Sequence, residues 1–132
     1  VMLYMIIAAL GFVTLENLLI FLSSETFVMG VGKTIILAVF RFVSATFLHA
    51  LTSAALGFSM ALSFFETKRK VSILITGFLI AVVLHGLYNF SIMMVSGPLR
   101  IISPTIIICG LAIFVSWGFK RLKNLASICK IK

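Results

Sequence analysis

Glu16, His49, His85 and Asn89 are the residues in this chain whose types and spacing can do chemistry. All four stand in stretches that are otherwise almost wholly apolar, as in "AVVLHGLYNF" from Ala81 to Phe90. A carboxylate can take a proton from water, and an imidazole can hold a water or a metal ion. An amide N–H can stabilise an oxyanion. Each would cost a few kcal/mol in lipid unless it faced a partner or a wet cavity, so its presence there calls for a function or a cross-helix bond.

The elements that must position these groups follow from composition. The chain has 132 residues, of which 62% are hydrophobic and 11% charged, with a mean hydropathy of +1.28. A soluble domain of this size cannot bury so much apolar surface. The pattern predicts an all-α, polytopic membrane helix bundle forming one domain over residues 1–132, with four transmembrane spans near 2–22, 41–65, 71–95 and 101–119. The second apolar run starts at about Thr34, but Arg41 is expected to mark the water boundary within it. "SSETFVMGVGK" (Ser23 to Lys33), "ETKRK" (Glu66 to Lys70) and "SGPLR" (Ser96 to Arg100) read as loops, and Pro104 is placed in the first turn of the last helix.

The formal net charge of +8 is distributed as topology requires, not as a nucleic-acid footprint. Eight of the eleven basic residues lie in two clusters, Lys68-Arg69-Lys70 and the segment after Phe119. Both clusters fall on one side if the last two spans form a hairpin, which predicts cytoplasmic N- and C-termini and contact with anionic lipid headgroups there. Nucleic acid is not an expected partner. Cys109 and Cys129 show no metal-ligand or disulfide spacing. No basic segment with a cleavage site reads as a signal peptide.

Depth brings the polar residues together. At about 1.5 Å of rise per residue, Glu16 is roughly 9 Å from the outer end of its span, His49 roughly 12 Å inward of Arg41, His85 roughly 15 Å and Asn89 about 9 Å from the outer end of theirs. Helical faces agree. The row Arg41, Ala45, His49, Ser53, Gly57, Ala61 and the row Gly77, Ala81, His85, Asn89 are small or polar, whereas their flanks are large and apolar. Small residues every fourth position let helices approach closely in lipid, so both histidines are expected in the bundle interior. A purely structural role, with hydrogen bonds between helices, is the bland alternative. Ser44, Ser53, Ser59 and Ser63 read as hydroxyls bonding back to their own helix, and Tyr4 and Trp117 as interfacial anchors. A transporter would need polar residues through both membrane halves, which the inner halves of these spans do not offer.

Three segments, "AALGFVTLENLL", "RFVSATFLHALTSAALG" and "AVVLHGLYNF", carry Gly-Phe-x-x-x-Glu-Asn, Arg-x7-His and His-Gly-x-Tyr-Asn in that order. In this the chain resembles the PrsW intramembrane proteases, distant relatives of the CAAX-processing and bacteriocin-processing membrane proteases. The resemblance implies an endopeptidase of a bacterial or archaeal plasma membrane that clips a membrane-protein substrate such as an anti-sigma factor. It implies catalytic roles for Glu16, His49, His85 and Asn89, with Asn17 and Arg41 supporting the site or the substrate. His49 and His85 would bind zinc in a metal mechanism; a glutamate mechanism would need no cofactor. The competing expectation is an inactive protein of the same fold acting in regulation or immunity. The family's adjacent glutamates, followed a turn later by lysine, have no counterpart in residues 1–132. That departure suggests the C-terminal part of a longer protease domain, or else a chain lacking the family's main carboxylate.

Overall fold

The computed structural model describes residues 1–22 and 30–129, without the side chains at positions 37, 41, 67, 93 and 126–129. Most of the first expected loop, with Glu25, lies outside the described residues, as do Lys130 and Lys132. Four helices account for nearly all the rest: α1 (Met2–Phe21), α2 (Val31–Phe65), α3 (Lys70–Met94) and α4 (Leu99–Cys129), with a short 3-10 turn at Thr67–Arg69. Each is long and apolar enough to cross a membrane, and no strand occurs among the described residues. Large apolar side chains such as Tyr4, Phe42, Val71 and Ile113 project from every helix, as expected where the surrounding solvent is lipid. The chain is an integral membrane protein.

Helix ends differ from the loop boundaries read in the sequence. Helix α2 does not wait for Arg41 but starts at Val31, directly after Gly30, whose φ of +80° suits glycine. At 35 residues it is roughly 52 Å long, well beyond a hydrocarbon core of about 30 Å, so it is longer than a single upright crossing needs. Helix α4 likewise starts earlier, because Gly97 at φ +72° and Pro98 turn the chain straight into it. Pro104 therefore lies in the second turn, inside the helix, and not in the first turn as its spacing suggested. Its missing N–H leaves the Arg100 carbonyl without its helical donor. On either side Ser103 and Thr105 donate their hydroxyls to Leu99 O and Ile101 O at 2.6 and 2.7 Å. At its other end α4 continues past Phe119 through the basic segment to Cys129.

Helix α2 is the hub and packs on α1, α3 and α4. Close approach depends on glycine at two points. A Cβ on Gly57 would sit 2.8 Å from the Met2 Cα of α1, and one on Gly77 of α3 would collide with Ser59 of α2. In lipid, where apolar surface gains little by hiding, such backbone-to-backbone packing holds helices together. The inner layer buries Met2, Ala54, Phe58 and Val115, with Phe58 edge-on to Phe114 and tilted against Trp117. A second layer buries Leu48, Ala55, Tyr88 and Leu111. Of Ser44, Ser53, Ser59 and Ser63, three bond back as expected: Ser44 to Phe40 O, Ser59 to Ala55 O and Ser63 to Met60 O. Ser53 makes no such bond. Trp117 stacks with the Arg121 guanidinium, 5.1 Å from its ring centroid, as befits an interfacial position.

Candidate active site

On the side of the second layer away from the first, α1, α2, α3 and the start of α4 enclose a cavity of about 170 Å³. Glu16, Ser44, His49, Tyr88, Asn89 and Arg100 give it polar walls, with Phe40, Ala45, Leu48 and Ile92 between them. Helix α2 contributes through the small-residue row: Ala45 is buried and lets α1 and α3 close on His49, itself only 9% exposed.

His49 is the centre of the arrangement. Its Nε2 lies 2.9 Å from Oε2 of Glu16, an ion-pair distance between α2 and α1 when the imidazole carries a proton. The approach lacks the alignment of a linear hydrogen bond, which is common in sites without substrate. The His85 ring of α3 meets the His49 ring edge to face, with centroids 4.7 Å apart and planes at 81°. On the far side Phe12 of the Gly-Phe-x-x-x-Glu-Asn segment lies 5.6 Å from the same ring. The three motifs thus meet on one imidazole.

The remaining sequence candidates fall out differently. His85 is half-buried, packs on His49, does not line the cavity, and its ring nitrogens have no hydrogen-bond partner among the described residues. Asn89, one turn on, lines the cavity but is exposed; the row Gly77, Ala81, His85, Asn89 runs from buried at its inner end to open at the mouth. Asn17 points its Oδ1 into a buried position with no hydrogen-bond partner among the described residues, and it does not line the cavity. The Arg41 side chain lies outside the described residues. Tyr88 and Arg100 line the cavity although neither was among the sequence candidates. Tyr88 was visible inside His-Gly-x-Tyr-Asn, and Arg100 as the one cation of the second outer loop.

Fit to a metal can be judged on the donor set. A catalytic zinc takes three protein donors and leaves a fourth position open. Two imidazoles and a carboxylate do converge here. Yet among the described residues no three His, Cys, Asp or Glu side chains form a group that could hold a metal ion. His49 Nε2 is turned to Glu16 instead. These residues, as arranged, make an acid–base pair with a neighbouring imidazole, and the chemistry below is derived from that.

Comparison with known proteins bears on most of the chain. A family model described as PrsW family intramembrane metalloprotease matches residues 1–118. Neither the curated proteins nor the solved structures give a match.

Proposed function

The chain belongs to the PrsW family of membrane proteases, and on that premise we propose that it is an intramembrane endopeptidase that hydrolyses a membrane-protein substrate, of the anti-sigma-factor kind, near the outer face. The observation that carries this reading is the Glu16–His49 contact of 2.9 Å on the wall of a cavity in an otherwise apolar bundle, with the His85 ring packed against His49 from outside the cavity lining. Scattered structural polar residues would be expected to pair singly between helices; here three helices deliver an acid–base set to one space.

The steps use this chain's own groups. A water held at the cavity beside the Glu16–His49 pair attacks the scissile carbonyl carbon, and its proton passes to that pair, with the His85 ring setting the orientation of His49. The side-chain N–H of Asn89 donates to the oxyanion, a contact worth about 10²–10³ in rate in comparable sites. The pair then returns the proton to the departing amide nitrogen as the C–N bond breaks. Low water content around the site strengthens each of these interactions. The family description implies a metal, but the described donors do not form a three-residue metal group, and no step here is routed through an ion. Asn17 and Arg41 serve as support for the site or the substrate.

Orientation and partners belong to the same proposal. Basic residues at 68–70 and 120–123 face the cytoplasm and its anionic headgroups, both termini lie inside, and the cavity opens outward. Nucleic acid has no part in this reading. A second reading, an inactive protein of this fold acting in regulation or immunity, is favoured by one observation, the lack of a three-donor metal group among the described residues. One experiment separates the two. The full chain in proteoliposomes is given a transmembrane reporter substrate; cleavage that His85→Ala abolishes supports the protease, and no cleavage of any reporter supports the inactive relative.

A further inference from the structure

We infer that Arg100 selects substrates carrying an acidic residue beside the scissile bond, on its outer side; this rests on the protease reading above. Arg100 stands in the first turn of α4 and lines the same cavity as Glu16, His49 and Asn89. A guanidinium is always charged and presents five donors in a fixed fork that matches a carboxylate. Among the described residues no carboxylate lies within ion-pair distance of it. Glu16 is the only described acid at the cavity and is engaged with His49, while Glu66 follows α2 at the opposite end of the bundle. The cavity therefore holds a cation without a described counter-ion.

Position limits what supplies the missing charge. The backbone of Arg100 is set by the turn before it, its N–H donating to Gly97 O at 3.1 Å. The cavity, at about 170 Å³, is below the roughly 300–1,000 Å³ of small-molecule sites and has room for one side chain. A carboxylate side chain of the substrate fits that space and charge. Anything held there sits next to the Glu16–His49 pair, so binding it also registers the bond to be cut.

The test uses the full chain in proteoliposomes with two transmembrane reporters that differ only by Glu or Gln on the outer side of the cleaved bond. Wild type should favour the Glu reporter in kcat/KM by on the order of tenfold, the size of one charge-assisted hydrogen-bonded pair. Arg100→Gln should bring that ratio near one, and Arg100→Glu should shift preference to a Lys reporter. Equal cleavage of the Glu and Gln reporters by wild type overturns the inference while leaving the protease reading intact, and it does so even where the variants fail to fold. A rate that follows the anionic-lipid content of the vesicles, and not the reporter's charge, also overturns it and assigns Arg100 to a headgroup. No cleavage of any reporter sinks the protease reading and this inference with it.

Discussion

Glu16 on α1 and His49 on α2 are 33 residues apart in sequence, yet Oε2 and Nε2 lie 2.9 Å apart, about three-quarters along α1 and midway along the antiparallel α2. Close packing at Gly57 against Met2 fixes the spacing of those helices, and His49 lies about two turns of α2 from that contact. The polar pair is thus held by a steric contact that carries no polar group. Glu16→Gln keeps the shape and removes the base. Its cleavage rate is expected to fall by about 10²–10⁴, with a stability change within about 1 kcal/mol. Reporter cleavage and a thermal melt in detergent measure both; a variant with wild-type rate would remove Glu16 from the chemistry.

The two histidines should separate in stability. His49 is buried and joins Glu16, Phe12 and His85, so His49→Ala opens space against three side chains and is expected to cost about 2–3 kcal/mol. His85 is half-buried and has no described hydrogen bond, so His85→Ala should cost less than about 1 kcal/mol while removing cleavage. If His85→Ala melts as low as His49→Ala, the imidazole of His85 is a packing element and its catalytic role fails.

Packing at Gly77 gives a rescue experiment. Gly77→Ala places a Cβ into Ser59 and is expected to destabilise by about 1–3 kcal/mol. Ser59→Gly vacates that space and should restore part of the loss in the double variant, a coupling of about 0.5 kcal/mol or more. Gly57→Ala should have no such rescue among side chains, since its nearest obstacle is the Met2 backbone at 2.8 Å. Additive losses at 77 and 59 would show that α2 and α3 do not meet there.

Removal of metal tests what holds the site. Direct contact between Glu16 and His49 and the packing beneath it join the helices without an ion, so exhaustive dialysis against a chelator should leave the melting temperature unchanged within about a degree. A drop of several degrees, restored by zinc, would make an ion part of the fold.

Topology can be read with a thiol reagent that does not cross membranes. In a Cys129→Ser background, Ser96→Cys should react from outside sealed cells and Lys68→Cys only after permeabilisation. Native Cys109 is exposed on the lipid-facing part of α4 and should stay unreacted throughout. The reverse pattern would invert the proposed orientation and turn the cavity toward the cytoplasm.

Much of this was legible along the chain. Four long apolar segments and the small-residue rows through Gly57 and Gly77 follow from a rise of about 1.5 Å and a period of 3.6 residues. Lipid makes that reading strong, because a spanning segment must be helical and its few polar residues are costly. Local sequence did not place helix ends well: Pro104 suggests a first turn, whereas the Gly97–Pro98 turn starts α4 earlier. It also did not decide that His49 turns Nε2 to Glu16, that His85 meets it edge-on, or that Arg100 from the fourth helix closes the same cavity. Those relations depend on the rotation and offset of helices against one another. In lipid no hydrophobic gain sets that rotation, so it comes from the combined fit of four surfaces, which no single stretch of sequence contains.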